Sequence, residues 1–175
     1  KAQYLVLNEG FNVSSNLLGY IVNMQSIAIF IGGLFVVKLS KKFSDTTLLM
    51  FGSIIAVIHL LGFVFAQDLV IIFITNFLGG ISLVVILSSA YSYASRLIPP
   101  EQRGEKFALF NATFFLSWGV AGTLIAGPVV DLLLKSGASQ IFAYKMSFLS
   151  AAILVLIGIF AFMFVDRKAR KIMKV

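Results

Sequence analysis

The sequence predicts an all-α membrane protein: five transmembrane helices, preceded by the outer end of a sixth. Three observations predict it. Apolar residues make up 59% of the 175 positions and charged residues 12%, against about 45–50% and about 25% in soluble domains. Mean hydropathy is +1.00, and a compact soluble fold this short leaves too much surface outside to hide that excess. The apolar residues also gather into five runs, each able to cross a hydrocarbon core about 30 Å thick, which takes roughly 20 helical residues. Alternation with period two, the mark of a β-barrel strand, is absent. A soluble enzyme and a nucleic-acid-binding domain are thereby excluded. The formal charge of +7 points to loop sidedness and not to nucleic acid.

The elements follow in order. Residues 1–16 lack the basic start and unbroken apolar core of a signal peptide. They read as the outer end of a helix that began earlier, so the chain is expected to be a piece of a longer protein. The five spans are expected at residues 16–37, 46–66, 69–94, 107–134 and 141–165, in one transmembrane domain covering residues 1–175. Between them lie a basic loop at 38–45, the tight turn Gln67-Asp68, a charged loop at 95–106 containing Pro99-Pro100, and a short loop at 135–140 containing Gly137. Residues 166–175 read as a basic tail. The second and fifth spans are almost uniformly apolar, so Phe63, Phe65, Phe160, Phe162 and Phe164 are expected to face lipid.

Sidedness follows from the cations. Loop 38–45, loop 95–106 and the tail hold eleven of the fourteen Lys and Arg; the other face holds Lys1, Lys135 and Lys145. Positive residues favour the cytoplasmic side. The tail is therefore expected in the cytoplasm, and the segment containing Lys1 outside, in a multi-pass protein of the plasma membrane. The simpler role of each cation is topology and contact with anionic headgroups.

The inventory for chemistry is thin. There is no Cys, so there is no disulfide, thiolate metal site or Cys nucleophile. One His and seven carboxylates show no metal-ligand spacing and no nucleophile–base pair. No catalytic residue, metal or cofactor is expected, and the protein is not expected to be an enzyme.

Three motifs go further. Loop one reads Leu39-Ser40-Lys41-Lys42-Phe43-Ser44-Asp45. The third and fourth spans are joined by Ile98-Pro99-Pro100-Glu101-Gln102-Arg103-Gly104. The outer part of the fourth span carries Gly119, Gly122, Gly127, Pro128 and Asp131. In this order and spacing they resemble one six-helix half of a major facilitator superfamily transporter. In that family a basic loop follows the second helix of each half, a Pro-x-x-x-Arg-Gly turn precedes the fifth, and the fifth has a Gly/Pro-rich outer end. The resemblance covers essentially the whole chain and implies an MFS-like half bundle lacking most of its first helix. Two departures favour the carboxy-terminal half. Asn76 stands where the amino half often has Arg. Val37, Lys41 and Ser44 stand where its loop has Gly, Asp and Gly.

The resemblance implies secondary transport of a small organic solute by alternating access, with the amino-terminal half of the same transporter and the lipid bilayer as partners. It assigns the cytoplasmic loop motif to Lys41, Lys42, Arg103 and Gly104. Arg103 is expected in a charge cluster with Glu101, Glu105 and Lys106 that locks the inner side, or else in a solvated turn at a helix start. Gly122, Gly127 and Pro128 are expected to form an outer hinge, or else a plain small-residue packing surface; Pro128 removes a backbone donor and kinks the helix.

Polar residues within spans are costly against lipid and face protein or water. Asn16, Tyr20 and Asn23 lie four and three residues apart, on one helical face, which Ile27 and Phe30 continue. Gln25 lies on the opposite side. Asn111, Phe115, Trp118 and Gly122 form a second such face. Tyr20, Asn23, Asn76, Asn111, Phe115 and Trp118 are therefore expected to line the substrate path, with interhelical hydrogen bonding as the simpler role. His59 reads as a buried, neutral, hydrogen-bonded side chain rather than a proton carrier. No Lys or Arg is expected deep in the spans, which favours efflux of amphipathic compounds. Uptake of a sugar or other metabolite is the alternative, and a non-transporting scaffold or receptor of the same fold a further one.

Overall fold

The computed structural model describes residues 1–173; the side chains of Trp118 and residues 170–173 lie outside the described part. Its helices are α1 (Ala2–Val6), α2 (Ser15–Leu39), α3 (Asp45–Phe65), α4 (Leu69–Leu97), α5 (Arg103–Val120), α6 (Gly127–Lys135) and α7 (Gln140–Met173). A 3-10 turn, Pro100–Gln102, opens α5, and a π-helical segment, Ala121–Ala126, joins α5 to α6. Five helical stretches are long and apolar enough to cross a membrane, Pro100–Lys135 counting as one. There is no strand among the described residues.

The helix starts are written in the sequence. Ser14, Ser44 and Asp68 each precede a run, and each accepts a hydrogen bond from the backbone N–H three residues on. Those of Ser14 and Ser44 measure 3.4 and 3.2 Å, and that of Asp68 is the shortest at 2.9 Å. Such caps satisfy one of the orphan donors of the first turn. Replacing Asp68 with Ala is expected to lower stability by about 1 kcal/mol, read as a lower unfolding midpoint in detergent micelles. An unchanged midpoint would deny the cap. Past α6 the chain turns at Gly137, whose φ of 85° is open to Gly without strain. Ala138 N–H donates to the Leu133 carbonyl and Gly137 N–H to that of Leu134, which is a Schellman stop.

α4 is the central element, with α2 on one side and α3 on the other; α7 packs on α3, and α6 on α7. Small residues set these approaches, as expected where lipid supplies no hydrophobic drive between helices. A Cβ on Gly32 would lie 2.7 Å from Val84 Cγ1, one on Gly52 2.9 Å from Ile86 Cγ1, and one on Gly80 against the Gln25 carbonyl oxygen of α2. At the end of the bundle that carries α1, Tyr4, Leu5, Ile21, Phe63 and Ile72 form a buried cluster. Toward the turn between α2 and α3, Val36, Leu48 and Val85 form a second. α5 packs sparsely on the rest.

Several expectations are corrected. Phe63 is fully buried, stacked on Phe148 at 4.9 Å and edge-on to Tyr4 at 6.4 Å. Phe162 packs edge-on to Tyr93 at 5.5 Å. Of the five, Phe65, Phe160 and Phe164 are exposed. The expected tail instead continues α7. Asp166 is 6% exposed and accepts hydrogen bonds from Thr46 Oγ1 at 3.0 Å and Tyr93 OH at 3.1 Å. Those two bonds hold the last turns of α7 to α3 and α4. Lys and Arg beyond it are good helix formers, so the helix does not stop where hydropathy falls.

Candidate functional site

The predicted face of α2 runs unbroken down the helix. Asn16 and Asn23 are exposed, as are Tyr20, Ile27 and Phe30, and Leu34 and Val37 extend the stripe toward the C-terminal end of α2. The buried residues of α2, namely Ile21, Ala28, Gly32 and Val36, form its other side, against α4. The helix therefore turns one face to its neighbours and leaves the mixed polar–aromatic face exposed among the described residues.

Asn76 does not share that open surface. It is wholly buried. Its Nδ2 donates to the Ile72 carbonyl at 2.9 Å, and its Oδ1 accepts from Lys1 Nζ at 2.8 Å. The same ammonium donates to Gln25 Oε1 at 2.8 Å and lies 5.8 Å from the centre of the Phe63 ring. Lys1 thus links α1 to α2 and α4 through its ammonium, while the residue itself remains exposed. Gln25 does lie opposite Asn16, as its spacing requires; that opposite side is where Lys1 meets it. Beside this cluster, His59 Nδ1 donates to the Thr75 carbonyl at 2.6 Å. A carbonyl can only accept, so Nδ1 carries the proton. The ring fills the space over Gly79, where a Cβ would meet its Cε1 at 2.6 Å.

On α5, Asn111 Oδ1 accepts from the Tyr91 hydroxyl of α4. The Tyr91 ring also stacks on Phe107 and meets Phe110 edge-on. Phe115 is 66% exposed. The side chain of Trp118 lies outside the described residues. The Gly/Pro motif has turned into the π-helical segment, which ends at Gly127, whose N–H reaches back to the Gly122 carbonyl. Pro128 follows directly and supplies no N–H, which is the cause of the altered winding. Among the described residues a Cβ on Gly122 would meet nothing within 4 Å, and one on Gly127 only the Gly122 carbonyl.

At the basic end, Lys41 and Lys42 stand exposed in the turn between α2 and α3. Gly104 has open space around it. The expected lock around Arg103 is corrected. Arg103 Nη2 donates to the Ser95 carbonyl at 3.3 Å, and Lys106 pairs only with its neighbour Glu105 at 3.3 Å. The ion pair that crosses helices is Arg96 with Asp45, at 2.9 Å. It lines one cavity with Tyr93 and Asp166. Sequence reasoning missed Lys1, Gln25, Tyr91, Arg96 and Asp166. Gln25 and Asp166 did carry a signal, since each is a polar group at a depth where isolation is costly.

Among the described residues no group of three His, Cys, Asp or Glu is placed to hold a metal. What the arrangement offers is a set of polar and aromatic side chains at spanning depth, a rewound segment in the fourth span, and basic turns at one end. No curated protein and no solved structure matches the chain. Residues 2–173 match the family model of the Major Facilitator Superfamily, a family of membrane transporters, and with nearly its whole length matched the chain belongs to that superfamily.

Proposed function

We propose that the protein is a secondary transporter moving a small organic solute by alternating access, with a six-helix amino-terminal half of the same transporter completing the path. The observation that carries this reading is the open stripe on α2. Asn16, Tyr20 and Asn23 are exposed, and polar groups at spanning depth face protein or water rather than lipid. Solutes in such folds bind near the midplane between two rocking halves. The π-helical segment ahead of Pro128 supplies a bend in the fourth span at which the outer end can open and close. Positive charge at the turns after α2 and α4 and along the end of α7 supports a plasma-membrane protein with that end in the cytoplasm.

The amphipathic-efflux reading rests on the apolar and aromatic part of the α2 stripe. Uptake of a polar metabolite is the second reading. It is favoured by the contact of the Lys1 ammonium with the amide oxygens of Gln25 and Asn76.

Purified full-length protein in liposomes tests the proposal. Solute flux driven by an imposed pH or solute gradient supports it; binding without flux indicates a scaffold or receptor of the same fold. Asn23→Leu, and separately Asn111→Leu, are expected to cut flux about tenfold, the equivalent of one lost hydrogen bond to the solute. Trp118→Ala is expected to act in the same direction, and all three variants to insert into the membrane as the wild type does. Normal flux in all three would remove these residues from the path.

A further inference from the structure

Two buried side-chain oxygens lack a hydrogen-bond partner among the described residues: Asp45 Oδ2 and Ser89 Oγ. Asp45 opens α3, and Ser89 lies eight residues before the end of α4, roughly 12 Å along the axis. Asp45 is 4% exposed and Ser89 2%, and groups so deeply buried are nearly always satisfied. Other hydroxyls of α4 follow that rule. Ser82 donates to the Gly52 carbonyl at 2.9 Å and Ser95 to that of Ser92 at 2.8 Å. Asp45 is met by Arg96 Nε at 2.9 Å, yet a carboxylate offers about four lone-pair sites. The Arg96 side chain is 66% exposed, so water shares its charge.

Asp45 and Ser89 line one cavity of about 250 Å³, between the last turns of α2, the start of α3 and α4. Ser92, half-buried, and Ser40 and Ser88, both exposed, line it with them. The rest of the wall is apolar or glycine. Every polar side-chain atom on it is therefore an oxygen, from one carboxylate and four hydroxyls. Arg96 does not line it and meets Asp45 from a separate cavity. An occupant that satisfies Asp45 and Ser89 together takes lone pairs from both, which is what a cation does. A hydroxyl that already donates, as Ser40 does to the Val37 carbonyl at 3.0 Å, still has lone pairs to give. Carboxylate and hydroxyl oxygens suit hard cations, not the softer metals that seek nitrogen and sulfur. A single carboxylate, already shared with Arg96, favours one positive charge over two. Val37 belongs to the exposed stripe of α2 and also lines this cavity, so the cavity borders that stripe.

We propose that this cavity binds an alkali-metal cation, held by the Asp45 carboxylate and the Ser89 hydroxyl, with Ser92 and water completing its shell. Binding stands on the geometry of the cavity. Its consequence, that the ion is coupled to solute movement, rests on the transport reading.

The test follows thermal unfolding of full-length protein in detergent as lithium, sodium or potassium chloride is added. N-methyl-D-glucamine chloride keeps the ionic strength constant. At least one alkali cation is expected to raise the midpoint by several degrees and to saturate. Asp45→Asn and Ser89→Ala are each expected to raise the half-saturating concentration at least tenfold. Ser89→Ala removes a hydroxyl without a partner in the bundle, so in N-methyl-D-glucamine it is expected to unfold no earlier than wild type. Ser82→Ala is the control: it is expected to lose stability in every salt and to keep the cation response. The proposal is overturned if no alkali cation gives a saturable shift, if Ser89→Ala responds as wild type does, or if calcium or magnesium stabilises at lower concentration than any alkali cation. In liposomes, flux that follows an imposed cation gradient and is lost in Ser89→Ala supports the coupling. Flux without cation binding would leave transport standing and remove this site. Cation binding without any flux would do the reverse.

Discussion

Replacing Gly80 with Val is expected to separate α2 from α4 and to lower stability by about 3 kcal/mol, the upper end of the range for overpacked cores. The reason lies in what a side chain there would strike. Its Cβ would run into the Gln25 carbonyl oxygen and lie 2.6 Å from the Ala28 Cβ. Neither can rotate away, since one is backbone and the other is the first atom of its side chain. Relief requires α2 to move as a body. Gly52→Val is the milder comparison, because side-chain carbons of Ile86 and Val85 lie nearest, at 2.9 and 3.0 Å, and backbone only at 3.2 Å. The check is the unfolding midpoint in mixed micelles. Equal midpoints for Gly80→Val and wild type would contradict the close α2–α4 approach.

Removing the guanidinium of Arg96 is the second large effect. Asp45 is 4% exposed while the Arg96 side chain is 66% exposed, so the pair is buried at one end only. The Nε–Oδ2 contact is close, yet it lacks hydrogen-bond alignment, which leaves charge attraction as its main content. Arg96→Ala strands a buried carboxylate. Breaking a fully buried pair costs about 3–5 kcal/mol, and solvent around Arg96 reduces this to about 1–2 kcal/mol. Arg96→Lys is expected to recover part of the loss by restoring charge. The double variant Asp45→Asn, Arg96→Gln is expected to recover most of it, since no unpaired ion then remains. Denaturation of the four proteins side by side measures this. A double variant no better than Arg96→Ala would show that Asp45 is not the group left in need.

The five spans were legible because lipid imposes a length and an apolar composition that few other constraints imitate. Their starts were legible at Ser14, Ser44 and Asp68, where capping chemistry is local. The stripe from Asn16 to Phe30 was legible because helical spacing alone fixes which residues share a face. Spacing says nothing about which neighbour a face meets, so Phe63 and Phe162 were assigned to lipid when aromatic partners from other helices cover them. Lys1 is exposed as a lone cation should be, yet spacing could not say that Gln25 of α2 and Asn76 of α4 accept from its ammonium. The ion pairing at the basic end was illegible for a related reason. Glu101, Glu105 and Lys106 are near Arg103 in sequence, whereas Asp45 reaches Arg96 only through the packing of α3 on α4.

The π-helical segment between Val120 and Gly127 has one more consequence. Each residue of an α-helix advances the direction of its side chain by about 100°, and wider winding slows that advance. Six residues wound this way leave α6 out of phase with α5, so a line drawn down one does not continue on the other. Val130 can therefore be buried toward α7 while Phe115, on the same span, looks outward. One rod thereby serves two directions, a division of labour that an unbroken spiral of the same length could not provide.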